Sequence, residues 1–136
     1  ALINELALEC GYSPASLQER IYARDPGEEG GPMAGLLIYT AASDSEGTLG
    51  GLVSLGERGR FEGILQQALE RARLCSADPL CAEHTPDASE DVLHNASCHA
   101  CLFVPETSCE RGNRYLDRAT LVATLSADYL HFFREP

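Results

Sequence analysis

Apolar positions along this chain follow two periods. In "ALINELALECG", Leu2, Ile3, Leu6, Ala7 and Cys10 share one face at helical spacing, and Gly11 follows where a helix needs a left-handed stop. The spacing predicts a helix over about residues 1 to 10, with Cys10 as a small core hydrophobe. The period then shortens: in "SPASLQERIYAR", Leu17, Glu19 and Ile21 alternate with Gln18, Arg20 and Tyr22. A turn-rich "DPGEEGGP" leads into the apolar run "MAGLLIYTAA". Two strands are expected here, the second more buried than the first.

Helical spacing returns from Glu57 to Leu74, where Phe61, Ile64, Leu65, Ala68, Leu69 and Ala72 fall at i, i+3, i+4, i+7, i+8 and i+11. This helix delivers its last turn to Cys75. The chain from Cys75 to about Asn95 is polar and broken by "ADP" and "TPDASED", which predicts a loop with one short helix at Ser89 to Ala96, capped by Ser89. In "LDRATLVATLSADYLHFF", Leu116, Ala119, Leu121, Val122, Leu125 and Leu130 predict a C-terminal helix from about Arg114 to Thr124. The fold class expected is α+β, a small β-sheet packed by helices with a cysteine-rich corner.

The length of 136 residues is that of one domain with its own core. A start at Ala1 rather than a methionine favours a fragment of a larger polypeptide, and nothing in the first ten residues resembles a signal peptide. No apolar run approaches the roughly 20 residues that span a bilayer, so a soluble, cytoplasmic protein without a membrane partner is expected. Net charge is -11, from 21 acidic and 10 basic residues, and every basic residue is arginine. Diffuse acidity argues against nonspecific duplex binding. The absence of lysine removes Walker-A and Schiff-base chemistry. The glycine-rich "SDSEGTLGG" has neither phosphate-loop spacing nor the lysine, and Asp44 and Glu46 would repel phosphate, so it reads as a tight crossover.

Five of the six cysteines lie between residues 75 and 109, as C-x5-C, sixteen residues, C-x2-C, seven residues and a last C. Zinc wants four soft donors in a tetrahedron, and a C-x2-C turn presents two thiolates to one ion. Cys98 and Cys101 supply one pair and Cys75 and Cys81 the other, with Cys109 as substitute ligand. Three other readings compete. A disulfide framework belongs to secreted chains shorter than this one. A redox pair at Cys98 and Cys101 would have to open a helix after a core strand. A zinc hydrolase of nucleobase-deaminase type would use Glu83 of "CAE" as proton shuttle and "CHAC" as the second ligand pair, but Ser97 stands where those enzymes carry proline. His84 and His99 read as exposed loop histidines. Arg111, Arg114 and Arg118 fall at i, i+3 and i+7, a stripe that serves as a solvated face ion-paired to Glu110 and Asp117, or as the candidate nucleic-acid contact.

Three segments together carry a resemblance: "LLIYTAASDSEGTLGGL", the long helix running into "ARLCSADPLC", and "CHACLFVPETSCERGNRYLDR". The chain resembles the zinc-binding domain of MrfA-type and Hrq-type superfamily 2 helicases, and most of all its form in the DrmB component of the DISARM anti-phage system. The resemblance covers roughly Met33 to Leu125. It implies a structural zinc held by four cysteines, here Cys75, Cys81, Cys98 and Cys101. It also implies a non-catalytic module that serves a helicase or other DNA-processing subunit, with the ATPase motor elsewhere. The insertion between the cysteine pairs is longer than in the helicase members.

Overall fold

The computed structural model describes residues 1–41, 51–86, 93–128 and 130–133. The first helix, α1 (Leu2–Cys10), ends as its sequence predicts. Gly11 takes φ 69°, its N–H bonds Leu8 O at 3.3 Å, and the Tyr12 N–H bonds Ala7 O at 2.9 Å. These two bonds satisfy helix carbonyls that would otherwise lack partners, and they turn Tyr12 back onto the core. A side chain at Gly11 meets no neighbour, so a substitution there is opposed by backbone conformation alone. Gly11→Ala is expected to cost about 1 kcal/mol, read as a lowered urea midpoint with an unchanged slope.

A 3-10 turn at Pro14–Ser16, capped by the Ser13 hydroxyl, leads into β1 (Leu17–Arg24), which pairs antiparallel with β2 (Met33–Thr40) from Leu17↔Thr40 to Arg24↔Met33. The expectation that the second strand is the more buried does not hold. β2 is exposed along most of its length, and Leu17 at the base of β1 is fully buried. The reason is topological: among the described residues the sheet has two strands, and the base of the hairpin, Leu17 with Ile38, is what packs into the core. A short helix, α2 (Gly51–Leu55), precedes α3 (Arg58–Arg73). The crossover expected at residues 43–51 lies, but for its last residue, outside the described residues.

The core gathers Ile3, Leu6 and Ala7 of α1, Tyr12, Leu17, Leu55 and Ile64, with Cys10 half-buried against it. Full burial of one such aliphatic side chain contributes about 1.5–3 kcal/mol. Glu5, almost inaccessible on the inner face of α1, pairs with Arg71 of α3 at 3.3 Å and ties the two helices together. No helix among the described residues is long and apolar enough to cross a membrane.

From Cys75 onward the chain is held by turns, and the expected helix over 114–124 is absent. Leu93 N–H bonds Arg114 O and Asn95 N–H bonds Leu116 O, each at 2.9 Å, which ties the carbonyls of 114 and 116 to the 93–95 segment instead of to a helix. Gly112 and Asn113 precede it with positive φ. Asp117 is extended, and its carboxylate caps a single 3-10 turn at Arg118–Thr120. The apolar spacing here serves burial of Ala119 in that turn and of Val122 just beyond it, not a helix face. Of the short helix expected at 89–96, residues 89–92 lie outside the described residues and 93–96 are not helical. The architecture is α+β: a two-stranded sheet, packed helices and a cysteine corner.

Candidate metal centre

α3 has no glycine stop. Leu74 leaves it in an extended conformation and carries the chain straight to Cys75. The following turn closes the wide C-x5-C spacing: Asp78 N–H returns to Cys75 O, Cys81 N–H to Ala77 O and Glu83 N–H to Pro79 O, all within 3.1 Å. One helix-like turn thus brings Cys81 back beside Cys75. The second pair sits on a tighter turn, where the N–H groups of Cys101, Leu102 and Phe103 converge on Cys98 O at 3.1 Å. The Asn4 side chain of α1 reaches Cys101 O at 3.4 Å, and the buried Ser97 hydroxyl holds Leu116 O at 3.1 Å.

These two turns bring the sulfurs of Cys75, Cys81, Cys98 and Cys101 within 4.8 Å of one another. Cys75 lies 3.5 Å from Cys98, Cys81 lies 3.7 Å from Cys101, and Cys98 lies 3.9 Å from Cys101. A tetrahedron with Zn–S bonds of about 2.3 Å has edges of about 3.8 Å, so the sulfur cage fits a zinc ion. Disulfide sulfurs would stand about 2.05 Å apart, and all six cysteines are free. Backbone N–H groups point at the sulfurs, from Ala77 to Cys75 and from Ala100 to Cys98, each at 3.4 Å.

The thiols share their protons unevenly. Burial pushes Cys81 well above the ordinary thiol range, and the hydrogen bonds its thiol donates to Cys98 and Cys101 push it further. Burial likewise raises Cys101. At Cys98 burial also opposes ionisation, but the Ala100 N–H and the neighbouring thiols outweigh it and lower the thiol. Four sulfurs this close cannot all ionise unaided, and a divalent cation at their centre removes the conflict.

Cys109, the expected substitute, stands apart from the cage. It is buried beside Glu19 and Asn113, where burial raises its thiol, and it lines an apolar cavity of about 410 Å³. His84 and His99 also lie outside the sulfur group: His84 stacks on His94 at 4.7 Å, and His99 meets Phe103 edge-on at 5.0 Å. The expected arginine stripe is divided. Arg111 and Arg114 are exposed, but Arg118 has no accessible surface. Its guanidinium donates to Ala72 O and Arg73 O at 3.0 Å each, and to the Asp78 carboxylate. Asp78 in turn accepts the Cys75 N–H at 2.9 Å.

That set of bonds explains how α3 can end without a glycine. Arg118 places a cation and two donors on the open carbonyls of the helix C-terminus, where the helix dipole favours positive charge. Through Asp78 it also fixes the backbone of the first cysteine. Sequence reasoning missed both residues, treating Arg118 as a surface charge and Asp78 as a loop breaker. Asn113 has a comparable role one turn earlier, clamping Val104 through its amide at 2.7 and 3.3 Å.

Residues 1–102 match the MrfA Zn-binding domain. The chain belongs to that family. It is 45% identical over 133 residues to the DISARM protein DrmB of Bacillus paralicheniformis; the match takes in 98% of this chain and 22% of that protein. The chain thus spans about a fifth of its relative's length. The family's zinc-binding character and the cage of four cysteines agree on a structural zinc as the cofactor.

Proposed function

We propose that this chain is the zinc-holding module of a longer DrmB-type protein of an anti-phage system, with Cys75, Cys81, Cys98 and Cys101 as the ligands of one structural Zn²⁺. The observation that carries the reading is the convergence of these four sulfurs within 4.8 Å. The module is non-catalytic. Four thiolates complete the tetrahedron and leave no position for an activated water, and Glu83, the shuttle of the hydrolase reading, is exposed on the turn. Its work is assembly with a helicase or other DNA-processing subunit whose motor lies elsewhere. The kinship with a DISARM protein supports this role.

Metal analysis on anaerobically purified protein tests the ligand set. One zinc per chain is expected, lost with Cys75→Ser, Cys81→Ser, Cys98→Ser or Cys101→Ser and kept with Cys109→Ser. A chain that holds no metal while its cysteines pair as disulfides would sink the proposal.

Direct contact with DNA falls to Arg111 and Arg114, which are exposed. Arg118 takes no part, because its guanidinium is enclosed. Replacing both exposed arginines by alanine is expected to weaken DNA binding uniformly across sequences and to flatten the slope of log K against log salt by about two. A salt slope that does not change would remove DNA contact from the module's role.

A further inference from the structure

β2 is an edge strand of a kind that folded proteins rarely leave open. In the hairpin, Ala41 N–H bonds Ser16 O at 2.8 Å, and the N–H groups of Glu19 and Ile21 turn away from β2, to Ser108 O and to the Glu110 carboxylate. The alternation of an antiparallel ladder then turns the backbone groups of Ala34, Leu36, Ile38 and Thr40 outward on the opposite edge. Among the described residues these outward groups have no partner. The strand "MAGLLIYT" carries no charge and no proline, the devices that normally blunt an edge. Its side chains are open on both faces, with Leu36 and Leu37 each 47% exposed. Along it lies an apolar groove of about 260 Å³, lined by Leu6, Leu36, Leu52 and Phe61 among others.

We propose that this edge is the seat of a third strand: an extended, uncharged segment with large apolar side chains at alternate positions, supplied by the part of the DrmB-type polypeptide outside the present segment. The inference rests on reading the chain as a module of that longer protein. The relative it matches holds 22% of its length in the matched segment, so most of that chain is available to cover the hairpin. A second copy of this chain fits less well. Pairing two β2 edges would lengthen the sheet yet leave both apolar faces open, and it would bring together two bodies of net charge -11. A larger body covers the edge and the faces at once.

Hydrogen exchange on the longer polypeptide is the test. The outward amides of Ala34, Leu36 and Ile38 are expected to be protected about 100-fold or more, on a par with the inward amides of Gly35 and Leu37. Ala34→Pro removes one outward N–H and spares the β1 ladder; it is expected to speed exchange at Leu36 and Ile38 by about tenfold with zinc content unchanged. Outward amides that exchange freely in a zinc-loaded protein overturn this inference and leave the zinc module standing. Protected outward amides in a protein without zinc sink the zinc reading alone. A dimer of the 136-residue chain that Ala34→Pro disperses gives the edge to a second copy and also overturns the proposal.

Discussion

Complete removal of zinc by a chelator is expected to unfold the cysteine corner, with the amides of residues 75–84 and 96–103 losing protection against hydrogen exchange. Structural zinc contributes about 10–16 kcal/mol to small zinc-dependent folds, more than the 5–15 kcal/mol net stability of an ordinary domain. Here the two turns that carry the sulfurs bring few apolar side chains of their own, chiefly Ala82 and Leu102. Packing therefore cannot replace the ion. The cluster of Ile3, Leu6, Leu17, Leu55 and Ile64 has its own burial and should keep α1 against α3 after the corner has opened. A two-step thermal unfolding profile in the chelator, replacing one step in the loaded protein, is the expected readout. Retention of the full exchange-protection pattern after verified metal loss would count against a structural metal. Cys98→Ser should reproduce the effect of the chelator, because it removes a donor that contacts both Cys75 and Cys101.

Arg118→Met is expected to be the most damaging substitution away from the sulfurs, at about 3–5 kcal/mol in urea unfolding. The change leaves the Asp78 carboxylate buried without its cation and strips two carbonyls at the end of α3 of their donors. Arg118→Lys should rescue little, since one ammonium cannot reproduce the fork that serves Ala72, Arg73 and Asp78 together. Pairing Arg118→Met with Asp78→Leu should cost less than the sum of the single changes, because the second removes the stranded charge. The same variants are expected to weaken zinc binding by about 10–100-fold through the Cys75 backbone. If Arg118→Met unfolds like the parent protein, the guanidinium is not the anchor of this corner.

The elements with regular periods were legible in the sequence. α1 and α3 stand within a residue or so of their expected bounds and β1 and β2 lie inside the stretches expected to form them, because each presents one apolar face or one alternating or apolar run. What failed lies where long-range bonds decide local structure. Leu116 to Val122 have helical spacing, but the pairing of 93–95 with 114–116 and the burial of Arg118 claim that backbone. β2 reads as a buried strand by composition, yet its apolar residues are exposed; composition reports that such a strand is to be covered, not which body covers it. The two cysteine pairs that converge could be named from spacing, whereas the position of Cys109 away from them is visible only in the fold. Asp78 and Arg118 gave a faint signal, an Asp-Pro inside the C-x5-C turn and an arginine closing Leu-Asp-Arg.

Arg118 also sets where this structural unit can be divided. The family match stops at Leu102, and all four clustered cysteines precede that point. A polypeptide cut there would hold every sulfur of the cage and still lack the side chain that finishes α3 and braces the first knuckle. The sequence that identifies the family and the sequence that completes the fold are therefore of different lengths. Any transplant of this module into another protein must carry the chain through the 3-10 turn at Arg118–Thr120 to arrive whole.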